Sequence, residues 1–428
     1  MDIVPLFAGG LFTFGYLLIT LEQRFSTHKS AIALMLGSAL WLLTAVYLRH
    51  DADKLHHALE VAGNEIFGVV AFLLAAMALI EILVHYRLFD MVRAGLVRLK
   101  VDDKKQFLII LTLTFFLSAG LDNIAITIAM LQIARRFFTG KNLVVAGAAI
   151  VIAANAGGAW SPIGDVTTIL LWLAGKFTAV EIMTWAFVPA FSLFVVAASL
   201  LYRKLDDEDF TAREKGDLAR LARSEKLIIG TALASFLLPL AMNSVGLPPY
   251  MGLLLGLGVT WGMIEIAKSK RKQMQSHLTA NIEKIVQTVD MASIKYIIGI
   301  LLSVSALATL GVLALLSGAV LGDQPSELRI IVVNIALGLF SSIVDNTSLV
   351  AMAIDVFPMR DPTLWSLTAL AAGTGGSTFI IGSAAGVVAM GSMKELTFQR
   401  YFKIATAPAL AGFVIAMVVW YVQYLIFA

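Results

Sequence analysis

Apolar runs of membrane-spanning length recur along this chain, at roughly 3–20, 30–48, 64–85, 143–172, 182–201, 227–243, 249–267, 293–317, 363–392 and 403–426. Inside a bilayer no water is at hand to satisfy backbone amides and carbonyls, so runs of this kind cross as helices. Two further apolar runs, 106–134 and 328–354, each carry an Asp-Asn pair, Asp122–Asn123 and Asp345–Asn346. An ionisable group at that depth is costly and marks function. The composition is 59% hydrophobic and only 14% charged, with a mean hydropathy of +0.86. A soluble domain carries about 25% charged residues. The expected fold is an all-α polytopic membrane protein with about ten transmembrane helices. The absence of cysteine excludes disulfides, thiolate catalysis and Cys-based zinc or iron–sulfur sites. Residues 1–20 lack a basic leader and a small-residue cleavage site, and read as a first spanning helix.

Lys and Arg cluster at 87–105, at 135–141 (Arg135, Arg136 and Lys141), at 203–226, at 268–272 and at 394–403. Basic loops stay in the cytoplasm. Run 106–134 is basic at both ends, so both ends belong on that side. It reads as a re-entrant hairpin turning at 119–121. Run 328–354 has weakly charged flanks and fits a hairpin entering from the opposite side. Non-helical backbone at such depth has to be buried in protein or line a cavity. The mixed-charge segment 203–226 reads as a cytoplasmic linker, and 268–290 as a surface helix.

The two sides of that linker match. At an offset of 223, Ser118, Asp122 and Asn123 fall on Ser341, Asp345 and Asn346. At an offset of 218, 153-AANAGGAWSPIGDVTT-168 lies over 371-AAGTGGSTFIIGSAAG-386. The expected organisation is a first inverted repeat, 1–202, with a hairpin at about 106–134 and a broken helix at about 143–172. A second follows at 227–428, with a hairpin at about 328–354 and a broken helix at about 363–392. Both termini would lie outside. Internal repeats of opposite topology are the mark of secondary transporters.

Gly157, Gly158 and Gly164, with Gly375, Gly376 and Gly382, loosen the two broken helices. A break frees carbonyls for a cation and helix N-termini for an anion. Packing of helices through small residues is the competing reading. The expected ion- or proton-binding residues are Asp122, Asn123, Asn155, Asp165, Asp345 and Asn346. Thr127, Ser161, Thr167, Thr168, Ser341, Ser342, Thr347, Ser377, Thr378 and Ser383 are expected as supporting polar ligands. Such an oxygen-rich set suits a hard cation, with Na⁺ expected at Asp122, Asp165 and Asp345. Burial disfavours a charged carboxyl, so a group of this kind can hold either a proton or a sodium ion. Asp122 and Asp345 also suit helix capping. Asp165 falls opposite Ser383, which makes the site chemically asymmetric. Glu81 and His85, spaced i and i+4, are candidates for a proton relay or pH sensing. Glu65 and Lys295 occupy matching places, and Lys295 reads as snorkelling. Asp355 reads as interfacial, and His28, His50, His56, His57 and His277 as solvated in loops. No resident cofactor is expected, and the partners are the lipid bilayer and small inorganic cations, not nucleic acid.

At 150-IVIAANAGGAWSPIGDVTTILLW-172, 342-SIVDNTSLVAM-352 and 372-AGTGGSTFIIGSAAGVVAMG-391, supported by 117-LSAGLDNIAITIAM-130, the chain resembles the NhaD-type sodium/proton antiporters of the wider ion-transporter superfamily. The resemblance spans about 64–403. It implies export of Na⁺ or Li⁺ against H⁺, favoured at alkaline pH, from the bacterial inner membrane. It also implies a homodimer in which a transport domain moves against a fixed scaffold, as an elevator does. Relatives that carry carboxylates have Ser-Asn-Thr at the hairpin tips, where this chain has Leu-Asp-Asn and Val-Asp-Asn. Three rivals remain. An anion carrier for arsenite or an organic acid needs a basic residue that the four motifs lack. An intramembrane aspartyl protease needs a second Asp motif, and Pro162 breaks the match at Gly164-Asp165. A passive channel does not require titratable asymmetry.

Overall fold

A computed structural model describes residues 3–20, 28–99, 101–206, 223–269, 287, 289–322 and 324–427. Most of the 203–226 linker and of the 268–290 surface helix lies outside the described residues. Among the described residues all regular structure is helical, and nine helices are long and apolar enough to cross a membrane. The protein is a multi-pass membrane protein. The run at 363–392 is not one of the nine, because it divides into Pro362–Gly375 and Ala384–Ser392.

Three boundaries differ from the sequence reading. Helix Ala52–His85 has 34 residues and extends roughly 51 Å, well past a hydrocarbon core of about 30 Å. It absorbs most of the stretch between the runs 30–48 and 64–85. Asp51 starts it by accepting from the Lys54 amide at 3.1 Å, and His56 and His57 stand exposed on its polar first turns, not in a loop. The run at 293–317 divides into Met291–Thr309 and Val312–Leu321. Gly311 between them sits at φ +77°, a left-handed conformation that glycine takes without steric cost. The run at 227–243 divides into Arg223–Ser235 and Leu238–Ser244, with Pro239 in the first turn of the second piece. A proline there cannot donate the amide that would continue the first piece.

An outer layer and an inner body follow from the packing. In the outer layer, Lys29–Tyr47 lies along Met291–Thr309, and the backbones meet at small residues. A Cβ on Gly37 would stand 2.8 Å from the Gly299 carbonyl oxygen, and one on Gly299 would overlap Ala33. Close approach of this kind drives helix association where lipid is as apolar as the side chains. Ser30 Oγ donates to the Ala292 carbonyl at 2.7 Å in the same seam. Gly299→Val is expected to separate the pair and to cost about 1–3 kcal/mol, read as a lower unfolding temperature in detergent with the helical content unchanged. In the inner body, Ala179–Tyr202 packs along Thr406–Phe427, and both flank the segments that carry the motifs. Phe115, Trp160, Phe187, Phe191 and Phe194 stack there, with ring centroids 4.9–6.1 Å apart.

Candidate functional site

Helices Asp103–Gly120 and Asn123–Phe137 meet at the tip residues Leu121 and Asp122. The Asp122 carboxylate caps the second helix, accepting from the Ile124 and Ala125 amides at 3.0 and 3.1 Å. Helices Glu327–Phe340 and Asn346–Val356 meet at a second tip, where Asp345 accepts from the Ser348 amide at 3.2 Å. Both aspartates therefore hold the orphan amides of a helix start.

Each tip is locked to a broken helix by the same contacts. Ser118 Oγ donates to the Ala154 carbonyl at 2.7 Å, and its counterpart Ser341 donates to the Ala372 carbonyl at 3.0 Å. A Cβ on Gly157 would overlap the Phe115 carbonyl, and one on Gly375 the Gly338 carbonyl. Those partners are again related by the offsets 218 and 223. Gly164 and Gly382 likewise lie against the Ser118 and Ser341 carbonyls, the second more tightly than the first. Ser342 Oγ closes the second tip on the Leu339 carbonyl at 2.6 Å. The first break separates Gly140–Gly158 from Val166–Leu173, and Pro162 within it cannot continue a helical ladder. The second break has Ile380 where the first has Pro162. Ile380 is fully buried at φ +48°, a region a β-branched residue rarely enters and which costs about 1–3 kcal/mol.

The two broken helices cross. Asn155, with no exposed surface, is the knot. It accepts from Asn123 Nδ2 at 3.0 Å, and its own amide donates to Ser377 Oγ at 2.8 Å and Ser383 Oγ at 2.9 Å. Ser383 also caps its helix by accepting from the Gly386 amide at 3.1 Å. On the other side of the crossing, Asp165 is 3% exposed and Thr167 is fully buried. Thr167 lies beside the Asp165 carboxylate, yet neither Asp165 Oδ2 nor Thr167 Oγ1 makes a hydrogen bond of good geometry. Both face Gly373 of the second broken helix. Thr127 and Thr378 carry unpaired buried hydroxyls as well. Buried polar oxygens without partners are rare, and each calls for a ligand or other explanation. Thr168 instead closes the local turn, donating to the Asp165 carbonyl at 2.8 Å. Ser161 is buried and accepts from the Ile163 amide at 3.4 Å. Thr347 donates to Asn346 Oδ1 at 3.4 Å.

The three aspartates do not form one cluster. Asp122 and Asp165 are near enough to interact electrostatically. Asp345 turns toward the outer layer, where Tyr296 of helix Met291–Thr309 donates to its Oδ2 at 3.3 Å and meets Ser348 Oγ at 2.9 Å. Among the described residues no three acidic or histidine side chains converge on a metal-sized point. The geometry groups Asp122 with Asp165 and leaves Asp345 apart. Tyr296, Ser348 and the half-buried Tyr16 that interacts with Asp345 were not marked by the sequence, because a lone tyrosine in an apolar helix carries no spacing pattern. Glu81 is half-buried and His85 exposed on the last turns of Ala52–His85, with His85 edge-on to Tyr86. Lys295 is exposed, and Glu65 interacts with Asp355 and Lys176 on the inner body. The segments 116–130, 153–168, 339–354 and 371–386 contain no Lys, Arg or His.

A family model described as a citrate transporter, CitMHS, matches residues 16–368. The chain belongs to the CitMHS family. Among curated relatives of this CitMHS chain, sodium/proton antiporter 2 of Arabidopsis thaliana is 35% identical over 413 residues, which cover 94% of this chain and 96% of the relative. Sodium/proton antiporter 1 of the same plant is 34% identical, covering 94% of this chain and 70% of the relative. The Na⁺/H⁺ antiporter NhaD of Vibrio cholerae is 28% identical, covering 95% and 89%. The resemblance to NhaD-type proteins thus holds across nearly the whole length. Family and relatives are transporters, and the chain is a transporter, not an enzyme.

Proposed function

We propose that this CitMHS-family transporter exchanges Na⁺, and Li⁺ with it, for protons. The observation that carries the reading is the crossing itself. A buried carboxylate oxygen and a buried hydroxyl, Asp165 Oδ2 and Thr167 Oγ1, converge without a hydrogen bond of good geometry, amid amides and hydroxyls and with no basic residue in the motif segments. Oxygen donors of this type suit a hard monovalent cation. Na⁺ and H⁺ compete because either one neutralises the same carboxylate. A bare carboxylate is expensive to carry through a low-dielectric barrier, so only the loaded site crosses, and exchange follows. Asp122, capped and close to Asp165, stabilises a second positive charge in this scheme. Asp345, held by Tyr296, joins the inner body to the outer layer.

The same proposal includes inverted repeats and an elevator-like motion of the inner body against the outer layer. The matched contacts at offsets of 218 and 223 support it, as does the division of the packing into two layers. An inner-membrane location, both termini outside and a homodimer also belong to the proposal; they rest on the Lys/Arg distribution and the resemblance. The family description favours one rival, an organic-anion carrier. Proteoliposomes holding a quenched pH dye separate the two. A Na⁺ or Li⁺ pulse is expected to relieve the quenching and citrate to have no effect. A response to citrate and none to Na⁺ would overturn the exchange reading.

A further inference from the structure

The offset of 218 pairs Asn155 with Gly373, Ala159 with Ser377 and Asp165 with Ser383. The structure holds these residues in two mirrored contacts. In one, the Asn155 amide reaches Ser377 Oγ at 2.8 Å and Ser383 Oγ at 2.9 Å. In the other, the point where a Cβ of Gly373 would stand lies 3.3 Å from Ala159 Cβ, 3.4 Å from Asp165 Oδ2 and 3.5 Å from Thr167 Oγ1. Where one half fills the contact with a carboxamide that donates two hydrogen bonds, the other half has a residue with no side chain. The two oxygens facing that residue make no hydrogen bond of good geometry.

We infer that Gly373 sets the size and cation specificity of the site: the transported ion takes the place that a carboxamide occupies in the mirrored contact, and is the electropositive partner for the facing oxygens that the Asn155 N–H groups are there. The inference rests on the exchange reading above. A side chain at 373 has two consequences. A carboxamide satisfies Asp165 and Thr167 itself and excludes the ion. A methyl group narrows the space, which discriminates against the larger Na⁺ more than against Li⁺. The neighbouring helix backbone is not the obstacle, since the nearest atoms to the added Cβ belong to the Ala159, Asp165 and Thr167 side chains.

The test is stabilisation of the purified full-length protein by NaCl or LiCl against thermal unfolding in detergent at alkaline pH, with choline chloride as the ionic-strength control. For Gly373→Asn, the unfolding temperature in choline is expected to equal or exceed that of the unsubstituted protein, and the half-effective Na⁺ concentration to rise at least tenfold. For Gly373→Ala, the half-effective Na⁺ concentration is expected to rise several-fold more than that for Li⁺. Unchanged Na⁺ dependence in a folded Gly373→Asn protein would overturn the inference. If that variant does not fold, an unchanged Li⁺-to-Na⁺ ratio in Gly373→Ala overturns it equally. Asp165→Asn separates the two levels. If Asp165→Asn responds to Na⁺ as the unsubstituted protein does, the exchange site itself is misassigned. If it loses the response and the Gly373 variants do not, only the role of Gly373 falls.

Discussion

Asp165→Asn is expected to lower Na⁺-driven proton movement in proteoliposomes by roughly a hundredfold while leaving the fold intact. Losing a charge-assisted contact to a buried carboxylate removes about 1.5–3 kcal/mol, and about 1.4 kcal/mol is a factor of ten. The upper part of that range applies because the site is closed to water. The fold survives for a reason visible in the contacts. Thr168 bonds to the backbone amide and carbonyl of Asp165, at 3.3 and 2.8 Å, and the carboxamide oxygen of an Asn can serve the capping box at the start of Val166–Leu173 as the carboxylate does. The carboxamide has the same shape, and its amide can turn toward Thr167 Oγ1. Initial rates from a pH dye, set beside unfolding temperatures in the absence of Na⁺, separate loss of transport from loss of structure. A rate within threefold of the unsubstituted protein would remove Asp165 from the mechanism.

The second large effect is steric. Gly157→Ala and Gly375→Ala are each expected to destabilise the inner body by about 3 kcal/mol or more, and to cut the yield of folded, monodisperse protein severely. At both positions the added Cβ falls onto a backbone carbonyl, of Phe115 or Gly338, and a carbonyl in a packed helix cannot move aside as a flexible side chain does. The tip helix and the broken helix would have to separate, which also breaks the bond from Ser118 to Ala154 or from Ser341 to Ala372. Gly120→Ala is the control. It lies at the first tip with no atom within 4 Å of the added methyl, and its effect is expected to stay within about 0.5 kcal/mol. Size-exclusion profiles and melting curves in one detergent test all three. Equal behaviour of Gly157→Ala and Gly120→Ala would contradict the close packing of tip against break.

These contrasts show what was legible in the sequence. The tips and breaks stood out because a polar pair or a Gly-Gly inside an apolar run needs a reason, and each occurred twice at fixed spacing. The capping by Asp122 and Asp345 followed from residue type and position alone. Helix ends were less legible. Asp51, His56 and His57 look like a loop, yet Ala52–His85 continues as a helix beyond the apolar stretch, because polar residues on an exposed turn cost it nothing. Leu310-Gly311 and Pro239 divide runs whose hydropathy is unbroken, since hydropathy does not register a left-handed glycine or a missing amide. The grouping of the aspartates was out of reach, as it depends on which helices cross. The offset of 218 did place Asn155 over Gly373. Only the crossing gives that pairing meaning, because it shows that both positions look into the opposite break.

The central claim is that Na⁺ and H⁺ compete for the carboxylate at the crossing of the two breaks. Proton release on Na⁺ addition to the purified protein, in weakly buffered detergent solution at alkaline pH, tests it most directly. The account predicts release from the unsubstituted protein that saturates with Na⁺, no release with choline, and none from Asp165→Asn under the same conditions. Saturable release of the same size from Asp165→Asn would contradict it.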